Sequence, residues 1–410
     1  MDPPFHHRSV SDEVQDPALE AERALMGALF SPDGRSDPAA TARSVPVAGC
    51  SYAFVTEALH DRRLMATPIP PSEDLMFQVA ARFMSRVDGE RHTASRKAFS
   101  GLFSPRRVER YRAQIQATAA ELLEGLPATG PVDIVTTFAH PLPFAVICQV
   151  LGVPKSQQPW LAERMDTFGR GVAGQRDRAN IDAGNAAASQ MLAFFDDLLR
   201  QRQRQPDDDV LTLLGASAAS DGAHEDLLAN CIFFVLAGHA TTTSLLTAGV
   251  HILSSHPHHV TDLQQDPAGW MPAVEELLRL VSPTTLTGVT ATADVQIASC
   301  EVPAGANRAV VFAAANRDPS TFTDPDTFDP TRTPNPHVSF SAGVHYCLGA
   351  PLARLHAEVA LPMLFGCLPG LRTIGDPTWL GSVPIRQVAS LEIDWDAHRQ
   401  APAASPLRPG

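Results

Sequence analysis

The stretch Phe340-Ser341-Ala342-Gly343-Val344-His345-Tyr346-Cys347-Leu348-Gly349-Ala350-Pro351-Leu352-Ala353-Arg354 decides the reading of this chain. Two glycines flank a single cysteine, at four residues before it and two after. Glycine permits tight turns and lets backbone approach a ligand closely. From Leu348 the pattern becomes helical, with Pro351 tolerated in the first turn. Cys347 therefore stands at a helix N-terminus, where unpaired amides and the helix dipole favour thiolate over thiol. A thiolate in a glycine-lined loop suits an axial ligand to a flat metal-bearing ring. Taken alone, the segment is also compatible with a buried structural cysteine or a cysteine nucleophile.

Working outward, the longest uncharged stretch runs from Leu227 to Thr261, with no Asp, Glu, Lys or Arg. That length would cross a bilayer. Its middle, Gly238-His239-Ala240-Thr241-Thr242-Thr243-Ser244, carries five hydrogen-bonding side chains that are costly in lipid. The stretch reads instead as a long helix buried through the centre of a large domain, ended by Ser254, Ser255 and His256-Pro257. Further helical patterns cover 18–29, 105–126, 185–203 and 270–280, the last stopped at Ser282-Pro283. Asp294-Val295-Gln296-Ile297 and the segment Arg308 to Phe312 alternate and read as short strands. Asn316 to Pro336, rich in Pro, Asp and Thr, reads as a long irregular segment of the functional kind. Nothing marks a domain boundary, so 1–410 is expected to form a single mainly helical domain with small β-sheets, its ends (1–15 and 401–410) frayed.

The 410 residues carry 32 Lys+Arg against 45 Asp+Glu, a net charge of −13. That balance repels phosphate and argues against a nucleic-acid partner. The six cysteines show no metal-ligand spacing and are too sparse for a disulfide scaffold, pointing to a reduced, cytoplasmic chain. Met1-Asp2-Pro3-Pro4-Phe5-His6-His7 lacks the basic and apolar regions of a signal peptide. The acidity is locally reversed: between Arg86 and Arg112 eight Lys+Arg stand against three acids, a local +5.

The cysteine stretch resembles the signature Phe-x-x-Gly-x-His-x-Cys-x-Gly of the cytochrome P450 family, through Phe340, Gly343, His345, Cys347 and Gly349. Other motifs follow in order. Glu276 and Arg279 match the family's Glu-x-x-Arg helix, and Phe328-Asp329-Pro330-Thr331-Arg332 supplies the later Arg332 that locks this pair. His92 and Arg96 match His-x-x-x-Arg. Ala237-Gly238-His239-Ala240-Thr241-Thr242 matches the oxygen-side helix. The resemblance spans residues 50 to 395. It implies haem b held by the Cys347 thiolate, buried between the long helix and the cysteine loop. A thiolate ligand pushes electron density toward O–O cleavage in this family. The resemblance further implies haem propionates met by His92, Arg96 and His345, and room for dioxygen at a kink near Gly238, with the hydroxyls of Thr241 and Thr242 available there. Ordinary back-bonding of these threonines to preceding carbonyls is the alternative.

Two positions depart from the family pattern. Ala240 stands where an Asp or Glu usually relays protons, which favours coupling, cyclisation or desaturation as an alternative to oxygen insertion. Val289, five residues before Asp294, stands where an Arg usually meets a propionate. The apolar, small-residue run Leu286-Thr287-Gly288-Val289, with Phe233, is expected to line the pocket of a bulky, largely apolar small-molecule substrate. With no GxGxxG motif and no cysteine set for a cluster, electrons are expected from a separate ferredoxin and ferredoxin reductase. The ferredoxin would dock on the Arg86–Arg112 patch. No membrane partner is expected.

Overall fold

A computed structural model describes residues 48–173, 177–206, 210–215, 221–380 and 384–396. The stretch 18–29 and both chain ends lie outside the described residues. In chain order the α-helices are α1 (Tyr52–His60), α2 (Leu75–Ala80), α3 (Gly89–Ser100), α4 (Pro105–Glu124), α5 (Pro141–Val150), α6 (Gln158–Ala173), α7 (Arg178–Arg204), α8 (Val210–Gly215), α9 (Asp221–Ser254), α10 (Pro257–Gln265), α11 (Trp270–Val281), α12 (Phe312–Ala315) and α13 (Ala350–Cys367). The strands are β1 (Leu64–Ala66), β2 (Val132–Asp133), β3 (Thr287–Ala291), β4 (Val295–Ile297), β5 (Cys300–Val302), β6 (Asn307–Val310), β7 (Arg372–Leu380) and β8 (Gln387–Asp394). They form sheets ordered β1-β3-β6, β2-β8-β7 and β4-β5, and every pairing is antiparallel.

Helix α9 is the axis of the larger apolar core, which also takes in α4, α5, α7, α11 and α13. It is long and apolar enough to cross a membrane, but most of it is buried inside the protein. Its polar residues are used internally. Asn230 accepts from the Met84 amide at 2.8 Å and donates to the Asp226 carbonyl at 2.7 Å. Ser244 donates to the Arg386 carbonyl. At its N-terminal end Asp226 binds both Arg82 and Arg91, tying the segment before α3 to the helix. A second apolar cluster joins α1 to the β1-β3-β6 sheet through Phe54, Val55, Val289 and Val310.

The predicted helices over 105–126 and 270–280 are α4 and α11. α11 stops where Ser282 turns left-handed, at φ 43°. α7 begins at Arg178, seven residues earlier than the apolar periodicity indicated, because Asp177 caps it on the Ala179 amide at 3.0 Å. The strand expected over Arg308–Phe312 ends at Val310, and Phe312 instead opens α12. Residues 316–336 form no regular helix or strand.

Candidate functional site

The cysteine loop is built by backbone geometry. Gly343 has φ +63°, and a Cβ placed there would lie 2.2 Å from the Leu59 carbonyl oxygen. The turn Gly343–His345 thus packs on α1 only with glycine at this position. The Cys347 amide donates to the Phe340 carbonyl at 2.8 Å, closing the loop. α13 starts at Ala350, two residues later than expected, with Gly349 as its N-cap and Pro351 in its first turn. Cys347 lies just before this end, as the sequence indicated.

The thiol of Cys347 is accessible, yet burial pushes it above its ordinary value. The sulfur thus keeps free surface in a desolvated setting. Opposing the effect of burial, the Gly349 and Ala350 amides are aimed at the sulfur, and the charges of Arg96 and Arg354 stabilise thiolate. All six cysteines are free.

Beside the cysteine loop the rings of His92 and His345 lie 4.3 Å apart, tilted at 45°. His345 Nε2 pairs with Asp88 Oδ1 at 2.9 Å. Burial, then the neighbouring His345 and Arg96, lowers His92 to about 4, so it is neutral at pH 7. Arg96 is half-buried, without a hydrogen-bonded or ion-paired partner among the described residues. A half-buried imidazole cluster with one guanidinium lacking a counter-charge fits the carboxylates of a haem, and a desolvated sulfur flanked by amides fits its iron. When bound, haem supplies the redox chemistry; the chain supplies the pocket, the thiolate and the charges around it.

Behind the loop, Glu276 is wholly buried and satisfied on every side. Arg279 donates to both its oxygens at 2.8 and 2.7 Å, Arg332 Nε at 3.1 Å to each, Asn335 at 3.2 Å and the Asp329 amide at 3.1 Å. Arg279 also binds the carbonyls of Asn316 and Pro325 at 2.9 and 2.6 Å. The expected lock of Glu276, Arg279 and Arg332 is thus formed, and it pins residues 316–335 beneath the cysteine loop. Glu275, next to it, was overlooked. Burial alone would raise its carboxyl, but Arg354 and His337 outweigh that and hold it at about 2. The Arg354 guanidinium lies 4.6 Å above the Phe340 ring, so the first aromatic of the signature is clamped from the start of α13. Asp88 also escaped notice: it accepts from the Ala66 amide at 2.8 Å as well as binding His345.

Helix α9 runs as continuous α-helix through Gly238, without a π-bulge there. Thr241 donates to the Ala237 carbonyl at 2.8 Å and Thr242 to the Gly238 carbonyl at 3.1 Å, so both satisfy their own helix. A Cβ on Gly238 would stand 2.9 Å from Ile147 Cγ1, so the absence of a side chain there lets α5 pack close. Ala240 is buried. The Phe233 ring lies 5.0 Å from that of Phe83, tilted at 35°. Of the run expected to line the pocket, Val289 is instead buried in the cluster with Phe54 and Val55, and Gly288 packs on Thr67; alternate strand residues face opposite ways, which the run's uniform apolarity hid. Leu286 is buried and Thr287 half-buried.

Fold and site together define a haem-thiolate protein: a cysteine loop beneath a long central helix, with a basic and imidazole cluster at one edge. Comparison with known proteins gives the family. Residues 271–366 match the Cytochrome P450 family. The chain is 35% identical over 334 residues to the biotin biosynthesis cytochrome P450 of Bacillus subtilis (strain 168), covering 80% of this chain and 84% of that one. It is 36% identical over 323 residues to the 6-deoxyerythronolide B hydroxylase of Saccharopolyspora erythraea, covering 76% and 78%. Among solved structures it resembles P450BioI in complex with a hexadec-9Z-enoic acid-ligated acyl carrier protein (TM-score 0.80, 32% identity, 85% and 91% covered). It also resembles CxnD, a P450 for C–S bond formation in chuangxinmycin biosynthesis (TM-score 0.79, 28% identity, 92% and 97% covered). The chain belongs to the cytochrome P450 family and is a haem-b monooxygenase of the bacterial type, with Cys347 as its thiolate.

Proposed function

We propose that this P450 oxidises a small, largely apolar natural-product-type substrate, using O2 and electrons from a separate ferredoxin and its reductase in the cytoplasm. The observation that carries this reading is Cys347 just before α13, accessible yet desolvated and flanked by the Gly349 and Ala350 amides. Relatives whose names specify hydroxylation of natural products, such as the 6-deoxyerythronolide B hydroxylase, support the substrate class. His92, Arg96 and His345 hold the haem carboxylates. To pass a proton toward the oxygen side, the Thr241 hydroxyl turns away from the Ala237 carbonyl that it now satisfies.

The test is spectroscopic. Reduced protein under carbon monoxide is expected to give the strongly red-shifted thiolate-type Soret band, lost in Cys347→Ala. Macrolide or polyketide scaffolds are expected to shift the ferric spectrum and to accelerate electron uptake. A band that persists in Cys347→Ala refutes the ligand assignment. A normal band with no response to any apolar scaffold refutes the substrate class.

A second reading, coupling or cyclisation without oxygen insertion, rests on buried Ala240 in place of a proton-relaying acid. The likeness to the C–S bond-forming CxnD supports it. Ala240→Asp is expected to change the ratio of product formed to electrons consumed. An identical ratio and product would sink this reading.

A further inference from the structure

Glu275 stands beside the buried lock on α11 but is not part of it. Its side chain is a quarter exposed, whereas Glu276 is fully buried. Its partners belong to the cysteine loop and α13. Arg354 donates to it from Nε at 2.5 Å and from Nη2 at 2.8 Å, a bidentate pair. His337 Nε2 meets the same carboxylate at 3.0 Å. The Ser339 amide donates to His337 Nδ1 at 3.3 Å, so the ring proton sits on Nε2 and points at Glu275.

The guanidinium held in this way touches two residues that frame the cysteine. It lies 4.6 Å over the ring of Phe340, whose carbonyl receives the Cys347 amide at 2.8 Å. Its Nη1 reaches the hydroxyl of Tyr346, the residue before Cys347, at 3.3 Å. The Arg354 charge is felt at the sulfur, where it favours thiolate. A carboxylate paired with that guanidinium cancels part of its field. Arg96, the other cation acting on the sulfur, has no carboxylate paired with it among the described residues. Of the two cations, one is therefore compensated and the other is not.

We propose that Glu275 is a positioning residue for the thiolate: it fixes Arg354 against the cysteine loop and mutes its charge, so the sulfur keeps electron push that a bare guanidinium would withdraw. Glu275 acts through Arg354 and touches no substrate. The inference rests on haem being bound at Cys347, which the carbon monoxide band of the starting protein checks separately.

Haem-loaded Glu275→Gln, Arg354→Gln and the double variant test it. The readouts are the midpoint reduction potential and the C–O stretching frequency of the reduced carbon monoxide complex, neither of which needs turnover. Glu275→Gln unmasks a positive charge near the sulfur, so both readouts are expected to rise. Arg354→Gln leaves an unpaired carboxylate there, so both are expected to fall. Each single change is expected to alter the ratio of reduced to oxidised haem at a fixed poised potential roughly threefold, given the partial exposure of the pair. The double variant returns toward the starting values, and Arg354→Lys, which keeps the charge, stays close to them. A pair that only braced the fold would move both single variants the same way. Shifts of one sign in both, or no shift in Glu275→Gln, overturn the proposal. If one variant purifies without haem, the sign of the other's shift decides. Loss of haem from both marks the pair as structural and overturns the proposal.

Discussion

Gly343 and Gly349 stand symmetrically in the signature, but they answer to different forces. At Gly343 both the left-handed backbone and the Leu59 carbonyl 2.2 Å from a would-be Cβ exclude any side chain. At Gly349 a Cβ would rest 3.9 Å from the Cys347 sulfur and from Phe103, in ordinary contact, with φ at −82°. Gly343→Ala is therefore expected to cost about 2 kcal/mol or more and to lower haem content. Gly349→Ala is expected to keep the haem. Thermal melts and the ratio of Soret to protein absorbance check both; equal losses would show that the distinction is wrong. The sequence marked both glycines through their spacing from Cys347. It could not separate them, because the difference lies in Leu59, nearly three hundred residues away. For the same reason Asp88 stayed invisible: its partners Ala66 and His345 come from separate elements.

At the scale of elements, the lock on Glu276 is where reading and structure agree best. An i,i+3 pair on α11 and a later arginine are legible as spacing, and they meet as expected. Glu276→Gln leaves buried Arg279 without its counter-charge. Uncompensated buried ions of this kind cost about 3–5 kcal/mol. The variant is expected to melt well below the starting protein and to purify with little haem, measured by scanning calorimetry and pyridine haemochrome; an unchanged melting temperature would show that the carbonyls around Arg279 suffice. Helices with a polar face, α4 and α11, were legible from periodicity. α5 was not: Pro141–Val150 is almost entirely buried and apolar all round, so it carries no period. The β7–β8 hairpin was missed because long-range pairing with β2, across more than 250 residues, completes its sheet. The packing of Gly238 on Ile147 was not legible, since the two stand more than ninety residues apart.

Across the whole molecule, acid is the expected weakness. Burial lowers His239 and His356 to about 4 each, so both are neutral in the folded protein at pH 7. Unfolded histidine titrates near 6.5, so between pH 6.5 and 4 the unfolded chain binds more protons. Stability is full above that window and declines as pH falls through it. Urea midpoints at pH 7, 6, 5 and 4 are expected to drop progressively, and His239→Gln to flatten the profile; a flat profile in the starting protein would contradict this. The patch between Arg86 and Arg112 is less free than its local +5 implied. Arg91 is held by Asp226, and Arg112 by Glu109 and Glu358. Lys97 and Arg106 remain exposed. Reversing these two to Glu is expected to slow reduction by a ferredoxin and to weaken its dependence on salt, without altering the carbon monoxide band. Stopped-flow reduction at low and high ionic strength decides it.

The central helix leaves little of itself open to change. Gly238 is closed by Ile147, Ser244 is tied to the strand region at Arg386, Asn230 and Asp226 secure the segment that precedes α3, and Thr241 and Thr242 are spent on the helix's own carbonyls. A lineage acquiring a new substrate would find most steps along α9 blocked by one neighbour or another. Variation is left to connections outside the segment 316–335, which the Glu276 lock holds in place. The axle is inherited, and novelty accumulates at the rim.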